Sequence, residues 1–295
     1  MFRKIEIKSY RGLNNIQLDN LELINVLVGD NNSGKTSVLE AIQLFADRDV
    51  LREMISVARK RDTPLNPLGR NRLQPFDAFL YSFPINQEQN KKISVDAYSD
   101  IYGHCRIAVQ GRIDKDNFYG NELSEAEERR YHTICDEYGM IRVAEGEYLF
   151  KEKGHYEGKY YFRETQLRPE TEYREKNNGV SNKVKSNIMY ISPMDIYTGK
   201  VLSASLYKGM LVEEKERLLE LMRLFDDRIV GIETAVQNDR PVTMIELEEI
   251  GLMPISLFGD GIKKVLTLAS AVIKTRDGIV LIDEFETGTH KRALR

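Results

Sequence analysis

Ile5 and Ile7 alternate with charged residues near the start of the chain, a period of two that predicts a half-buried strand ending near Tyr10. From Leu21 to Val28 the apolar character becomes nearly continuous, with Ile24, Val26, Leu27 and Val28 leading into Gly29. That pattern predicts a central strand just ahead of a turn. After Thr36 the period changes, and Val38, Leu39, Ile42 and Phe45 recur at helical spacing. The order strand, glycine-rich loop, helix is set by Phe45.

From Arg59 to Pro84 the chain carries Pro64, Pro67, Gly69, Pro75 and Pro84, which predicts a connecting segment with little regular structure. Alternating strands follow at Ile93, Val95 and Ala97 and at Ile107 and Val109, with aromatic-rich ones at Tyr148 to Phe150 and Tyr160 to Phe162. A charged helix is expected over Ser124 to Tyr138, where Ser124 and Glu127 have capping-box spacing. A second helix is expected over Val212 to Asp226, with Leu218, Leu221, Met222 and Phe225 on one core-packing face. The last segment reads as a strand over Val242 to Leu247, a turn through Gly251 and Pro254, a helix after Gly261 and a strand over Gly278 to Ile282. The expected division is 1–70 and 231–295 as two parts of one α/β core, 71–184 as an inserted β-rich lobe and 185–230 as a helical segment. There is no heptad array of coiled-coil length.

Composition narrows the partners more than the fold. A net charge of −3 over 295 residues excludes a generally basic nucleic-acid coat. It leaves DNA open as a partner of one local stretch, Arg59-Lys60-Arg61 with Arg70 and Arg72, although such a run is usually a solvated face. Cys105 and Cys135 match no metal spacing and no disulfide framework, and the start of the chain lacks a signal-peptide core. With no run near the ~18–20 apolar residues of a membrane span, the expectation is a cytoplasmic protein with no membrane partner.

The chemistry-bearing residues fall in three places. Gly29-Asp30-Asn31-Asn32-Ser33-Gly34-Lys35-Thr36 fits G-x-x-x-x-G-K-[ST] at every fixed position, between a predicted strand and a predicted helix. Glycines let the loop turn so that backbone N–H groups face phosphate oxygens, and the helix that follows adds its positive end. Gly29, Asn31, Asn32, Ser33, Gly34, Lys35, Thr36 and Ser37 are the candidate nucleotide-binding residues, with Lys35 on the β- and γ-phosphates and Thr36 as a magnesium ligand. Much later, Ile279 to Ile282 is an apolar run ending in Asp283 and Glu284. Asp283 would hold magnesium through water, and Glu284 would act as general base on the attacking water. Between them, Ser256-Leu257-Phe258-Gly259-Asp260-Gly261-Ile262-Lys263-Lys264 opens a helix carried by Ile262, Val265, Leu266, Ala269, Val272 and Ile273. A glycine turn before a helix is an anion-binding geometry, and equally an ordinary loop-to-helix junction.

Taken in order, these pieces resemble the heads of ABC-type ATPases of the RecF/SMC group and of OLD-type prokaryotic defence ATPases. The resemblance rests on Ile5 to Leu13 with Tyr10-Arg11-Gly12-Leu13, on Gly29 to Ile42, on the FGDGIKK run from Phe258, and on Asp283 to His290. It covers the two ends of the chain and leaves 71–184 unmatched. It implies an α/β P-loop NTPase fold of ABC-ATPase type, ATP and Mg2+ as cofactors, and a nucleotide sandwiched between two heads. Gly259, Asp260 and Gly261 would then cap the γ-phosphate of a neighbouring protomer, Glu286 to Thr289 would lie at the dimer seam, and Arg11 would approach the phosphates. Two features depart from the family: Phe258 or Gly259 stands where a signature serine is usual, and the chain reaches Arg295 before a strand with a switch histidine, a role His290 does not fill. A truncated form, a partner that completes the fold, or impaired turnover would each account for the second. No Toprim nuclease segment is present in the sequence.

The expected function is a Mg2+-dependent ATPase that closes as a homo-oligomer around ATP and controls a separate effector, a nuclease or toxin, in DNA repair or anti-phage defence. The alternative is a non-hydrolysing regulatory or scaffold subunit with ATP as a structural ligand.

Overall fold

The computed structural model describes residues 1–61, 73–85, 91–117, 140–152, 155–175, 187–198, 211–237 and 240–285. The chain divides into two compact units, Met1–Ser186 and Asn187–Arg295.

In the first unit, strands β1 (Phe2–Tyr10), β2 (Leu13–Leu18), β3 (Lys91–Ser99), β4 (Gly103–Asn117), β5 (Met140–Lys151), β6 (His155–Arg163) and β7 (Glu170–Glu175) form one seven-stranded sheet. Its order is β2-β1-β3-β4-β5-β6-β7, with every neighbouring pair antiparallel. The strands read from the sequence as an inserted lobe therefore share a sheet with the first strand of the chain. The period-two alternation becomes a buried stripe running across the ladder, from Ile7 beside Val95, to Ile107, to Phe150. Helices α1 (Lys35–Gln43), α2 (Val50–Arg61) and α3 (Pro75–Leu80) supply the opposing apolar surface. Aromatic rings lock the layers together: Phe45 lies 5.5 Å from Phe2 and 6.4 Å from Phe150, and Phe76 lies 5.3 Å from Phe162.

Two expectations for this unit are corrected. The run from Leu21 to Val28 forms no strand, and Leu23, Ile24, Val26 and Val28 stay exposed, Val28 at 91%. A strand exists only with a neighbour; β1 has β2 on one side and β3 on the other, and the run does not pair with the outer side of β2. The proline-rich stretch contains two helical pieces, the end of α2 and all of α3. Pro75 sits at the first position of α3, where its missing N–H costs nothing and its fixed φ suits a helix. The expected helix over Ser124 to Tyr138 lies outside the described residues.

In the second unit, β8 (Ile188–Ile191) pairs in parallel with β12 (Ile279–Ile282). Strands β9 (Ile229–Gln237), β10 (Arg240–Leu247) and β11 (Gly251–Pro254) form a three-stranded antiparallel sheet. The expected turn at Gly251 to Pro254 is thus a short strand, entered through Glu249 and Gly251 at positive φ. Helices α4 (Asp195–Thr198), α5 (Val212–Arg223) and α6 (Asp260–Lys274) also belong to this unit. Leu218, Leu219 and Met222 of α5 pack with Ile229, Ile232, Ile245, Leu247 and Leu266 as one core. Among the described residues, no helix is long and apolar enough to cross a membrane.

Candidate functional site

The glycine loop in the first unit has the shape its residues dictate. Asn32 and Gly34 adopt left-handed backbone, with φ of 63° and 94°. Gly34 is also pressed from below: a Cβ there would stand 2.8 Å from Leu13 Cδ2. The loop thus rests on the residue that ends the Tyr10-Arg11-Gly12-Leu13 turn, which links two sequence motifs physically. The first intrahelical bond of α1 runs from Val38 N to Gly34 O at 3.0 Å, so the amides ahead of it form the positive end of the helix. Lys35 folds back over the loop, its Nζ donating to the carbonyls of Gly29 and Asp30 at 2.6 and 2.8 Å. An ammonium held by neutral carbonyls keeps its full charge for an anion. This cradle of left-handed backbone, helix end and lysine fits a nucleotide's phosphates.

Behind the loop stands a charge cluster that the sequence reading missed. Glu40 of α1 is fully buried and receives Arg61 Nε and Nη2 at 2.6 and 2.7 Å, while Arg11 Nε lies 3.4 Å away. Arg61 Nη2 also reaches Ser37 Oγ at 3.0 Å. Arg61, expected within a solvated basic face, is exposed and also pairs with Glu40 of the phosphate-loop helix; Arg70 and Arg72 lie outside the described residues. Arg11 occupies left-handed backbone at φ 50° and sits against Tyr10, whose hydroxyl burial pushes up to about 12 against the pull of that arginine. The available signal was a carboxylate only two residues beyond Val38 and next to Ala41 on a helix with a buried face.

In the second unit, the acidic pair closes β12 as expected. Asp283 N donates to Ile191 O at 3.0 Å, and Asp283 Oδ2 accepts the Tyr190 hydroxyl at 3.0 Å. Glu284 follows in left-handed backbone at φ 51°. Lys264 of α6 is 2% exposed, and its Nζ donates to the main-chain carbonyls of Glu284 and Phe285. The buried face of α6 carries Lys264, Thr267 and Ala271, whereas Val272, expected on the apolar face, is exposed. Gly259 caps α6 with φ −65°, and a Cβ there would meet nothing within 4 Å among the described residues. Asp260 opens the helix and bonds Lys263 at 3.3 Å, and a Cβ at Gly261 would stand 3.9 Å from Phe225 Cε1, an ordinary contact. Glu286 to His290 lie outside the described residues.

The candidate residues are thus distributed between the units: Lys35 and Thr36 belong to the first, Asp283, Glu284 and Gly259 to Gly261 to the second. A mixed α/β chain with a large antiparallel sheet, a phosphate loop at a helix start and an acidic strand end defines a P-loop nucleotide-binding protein.

Comparison with known proteins agrees. The family described as "AAA domain, putative AbiEii toxin, Type IV TA system" matches residues 24–295, and the chain belongs to that family. An ATP/GTP phosphatase of Helicobacter pylori is 21% identical over 326 aligned positions, spanning 100% of this chain and 78% of that protein. An uncharacterized protein of Methanocaldococcus jannaschii is 47% identical over 45 residues, or 15% of this chain and 20% of that protein.

Proposed function

We propose that this chain is a Mg2+-dependent ATPase head of the RecF/SMC/OLD type that dimerises around ATP and controls an effector. The observation that carries the reading is Lys35 held over a left-handed loop at the positive end of α1. In this reading the loop from Gly29 to Ser37 binds the phosphates, and Lys35 neutralises the charge that develops on them. Thr36 and Asp283 are the residues that would hold Mg2+, which would supply Lewis-acid stabilisation of the phosphate oxygens. Glu284 takes a proton from water as its oxygen attacks the γ-phosphorus; the bond from that phosphorus to the β-phosphate oxygen breaks, giving ADP and phosphate. The relative named as an ATP/GTP phosphatase supports nucleotide hydrolysis.

Head-to-head dimerisation is supported by Gly259. Its φ is ordinary and suits the N-cap of α6, and among the described residues no atom crowds it, which leaves that cap open to a close approach by a second protomer's nucleotide. A nuclease or toxin as effector, in repair or defence, follows the family description and the resemblance. A second reading, ATP as a structural ligand of a non-hydrolysing subunit, draws on Ser256, which lies in a 3-10 turn (Ile255–Leu257) ahead of the α6 cap.

The test is ATP binding, phosphate release and mass with and without ATP, for the parent chain, Lys35→Ala and Glu284→Gln. Binding lost in Lys35→Ala, and turnover lost with an ATP-dependent dimer kept in Glu284→Gln, is the expected result. Normal turnover in Glu284→Gln sinks the reading; tight binding without turnover in the parent turns it to the structural-ligand alternative.

A further inference from the structure

The sequence places two lysines side by side in α6, and the structure sends them to different surroundings. Lys263 bonds to Asp260 near the start of the helix. Lys264 is 2% exposed, and a buried ammonium needs acceptors because it has left its water behind. It finds them on the main chain just beyond β12: the carbonyl of Glu284 at 3.4 Å and that of Phe285, with the Phe285 ring centroid 5.5 Å from Nζ. Charge-assisted bonds to carbonyls are among the stronger ones available, and the ring face adds to them.

The backbone these bonds grip is itself unusual. Glu284 has φ 51°, a conformation in which a residue with a Cβ is disfavoured and which persists only where its surroundings impose it. Its carbonyl is one of the two that Lys264 holds. The turn that directs the residue after Asp283 is therefore fixed from α6, the helix whose first turn carries Gly259 to Gly261.

We propose that Lys264 is a positioning residue for Glu284: its ammonium holds the left-handed turn after β12, so that the carboxylate's placement depends on where α6 sits. This rests on reading Glu284 as the general base. It gives α6 a second role beside capping. A displacement of its first turn is passed along one rigid helix and through one buried cation to the residue that activates water. The coupling element is a contiguous pair of hydrogen bonds, which makes it open to direct test.

The experiment compares the parent chain with Lys264→Met, Lys264→Gln and Glu284→Gln by ATP affinity, kcat, KM and thermal unfolding. Met is one atom shorter, keeps the apolar stem and removes the charge; Gln is also one atom shorter but keeps a neutral N–H donor. The expected result is a kcat reduced on the order of tenfold or more in Lys264→Met, with ATP affinity kept within about threefold, and a smaller loss in Lys264→Gln. A loss in KM or affinity with kcat intact would mark a general structural role and overturn the proposal. Either Lys264 variant, folded and turning over ATP at the parent's rate while Glu284→Gln is inactive, also overturns it. Should Lys264→Met fail to fold, the Gln variant alone decides by the same criteria. Full activity in Glu284→Gln instead removes the general-base reading itself, a failure distinguishable from that of the lysine.

Discussion

Glu40, at 0% exposure on the phosphate-loop helix, receives two nitrogens of Arg61 from the last turn of α2. A carboxylate this deep must be paired, and the fork geometry of a guanidinium satisfies both its oxygens at once. Through Ser37 the same arginine also touches the first turn of α1. Glu40→Ala leaves Arg61 and the part-buried Arg11 without their shared anion. The expected cost is about 1–3 kcal/mol, below that of a fully buried pair because Arg61 is part-exposed to solvent. Urea unfolding measures it, and Arg61→Ala should cost less than Glu40→Ala because Arg11 remains beside the carboxylate.

Gly34→Ala should abolish nucleotide binding. An alanine at φ 94° carries an intrinsic backbone penalty of about 1–2 kcal/mol, and its Cβ would press on Leu13 at 2.8 Å. Gly12→Ala, one residue before Leu13, meets nothing within 4 Å and should bind ATP normally. Titration with a fluorescent ATP analogue separates the two, and equal affinities would contradict this account of the loop.

Tyr190→Phe removes a hydroxyl that donates to Asp283 Oδ2. Groups that orient a metal ligand are commonly worth about 10–100-fold in metal affinity. The Mg2+ concentration for half-maximal phosphate release should therefore rise by about tenfold, with little change in stability. An unchanged Mg2+ dependence would show that the Tyr190 hydroxyl does not orient Asp283 toward a metal.

Asp96 gives a prediction in pH. Burial acts to raise its carboxyl, but hydrogen bonds from Lys8 and His104, with the charge of Arg106, outweigh that and hold it below its ordinary 3.8. A depressed folded value means that its stabilisation is present above the ordinary value and lost as pH falls through the folded one. The stability difference between parent and Asp96→Asn should be flat above about pH 5 and shrink below about pH 4. A difference that grows as pH falls would reverse the assignment.

Local pattern made much of this legible. The phosphate loop, β1, α1, α6 and the acidic end of β12 follow from spacing, because period and glycine placement express backbone geometry directly. Pairing did not follow. The apolar run from Leu21 to Val28 has the composition of a central strand, yet β2 and β3 occupy both edges of β1 and the run finds no ladder among the described residues. Nor did burial of charge follow. Nothing in the local pattern marks Glu40 or Lys264 as buried, and their partners about 20 positions along the chain explain why each is inside.

The sequence by itself determined a phosphate-binding loop on a helix start, an acidic strand end and the alternation that builds the large sheet, since each depends on residues a few positions apart. Tertiary structure decided that the Tyr10 to Leu13 turn underlies the loop, that Arg61 serves Glu40, and that Lys264 grips the turn at Glu284. Those relations join residues about 20 or more positions apart. Hydrogen bonding in a buried setting requires that every charge find a partner, but it does not encode in the local pattern which partner it will be.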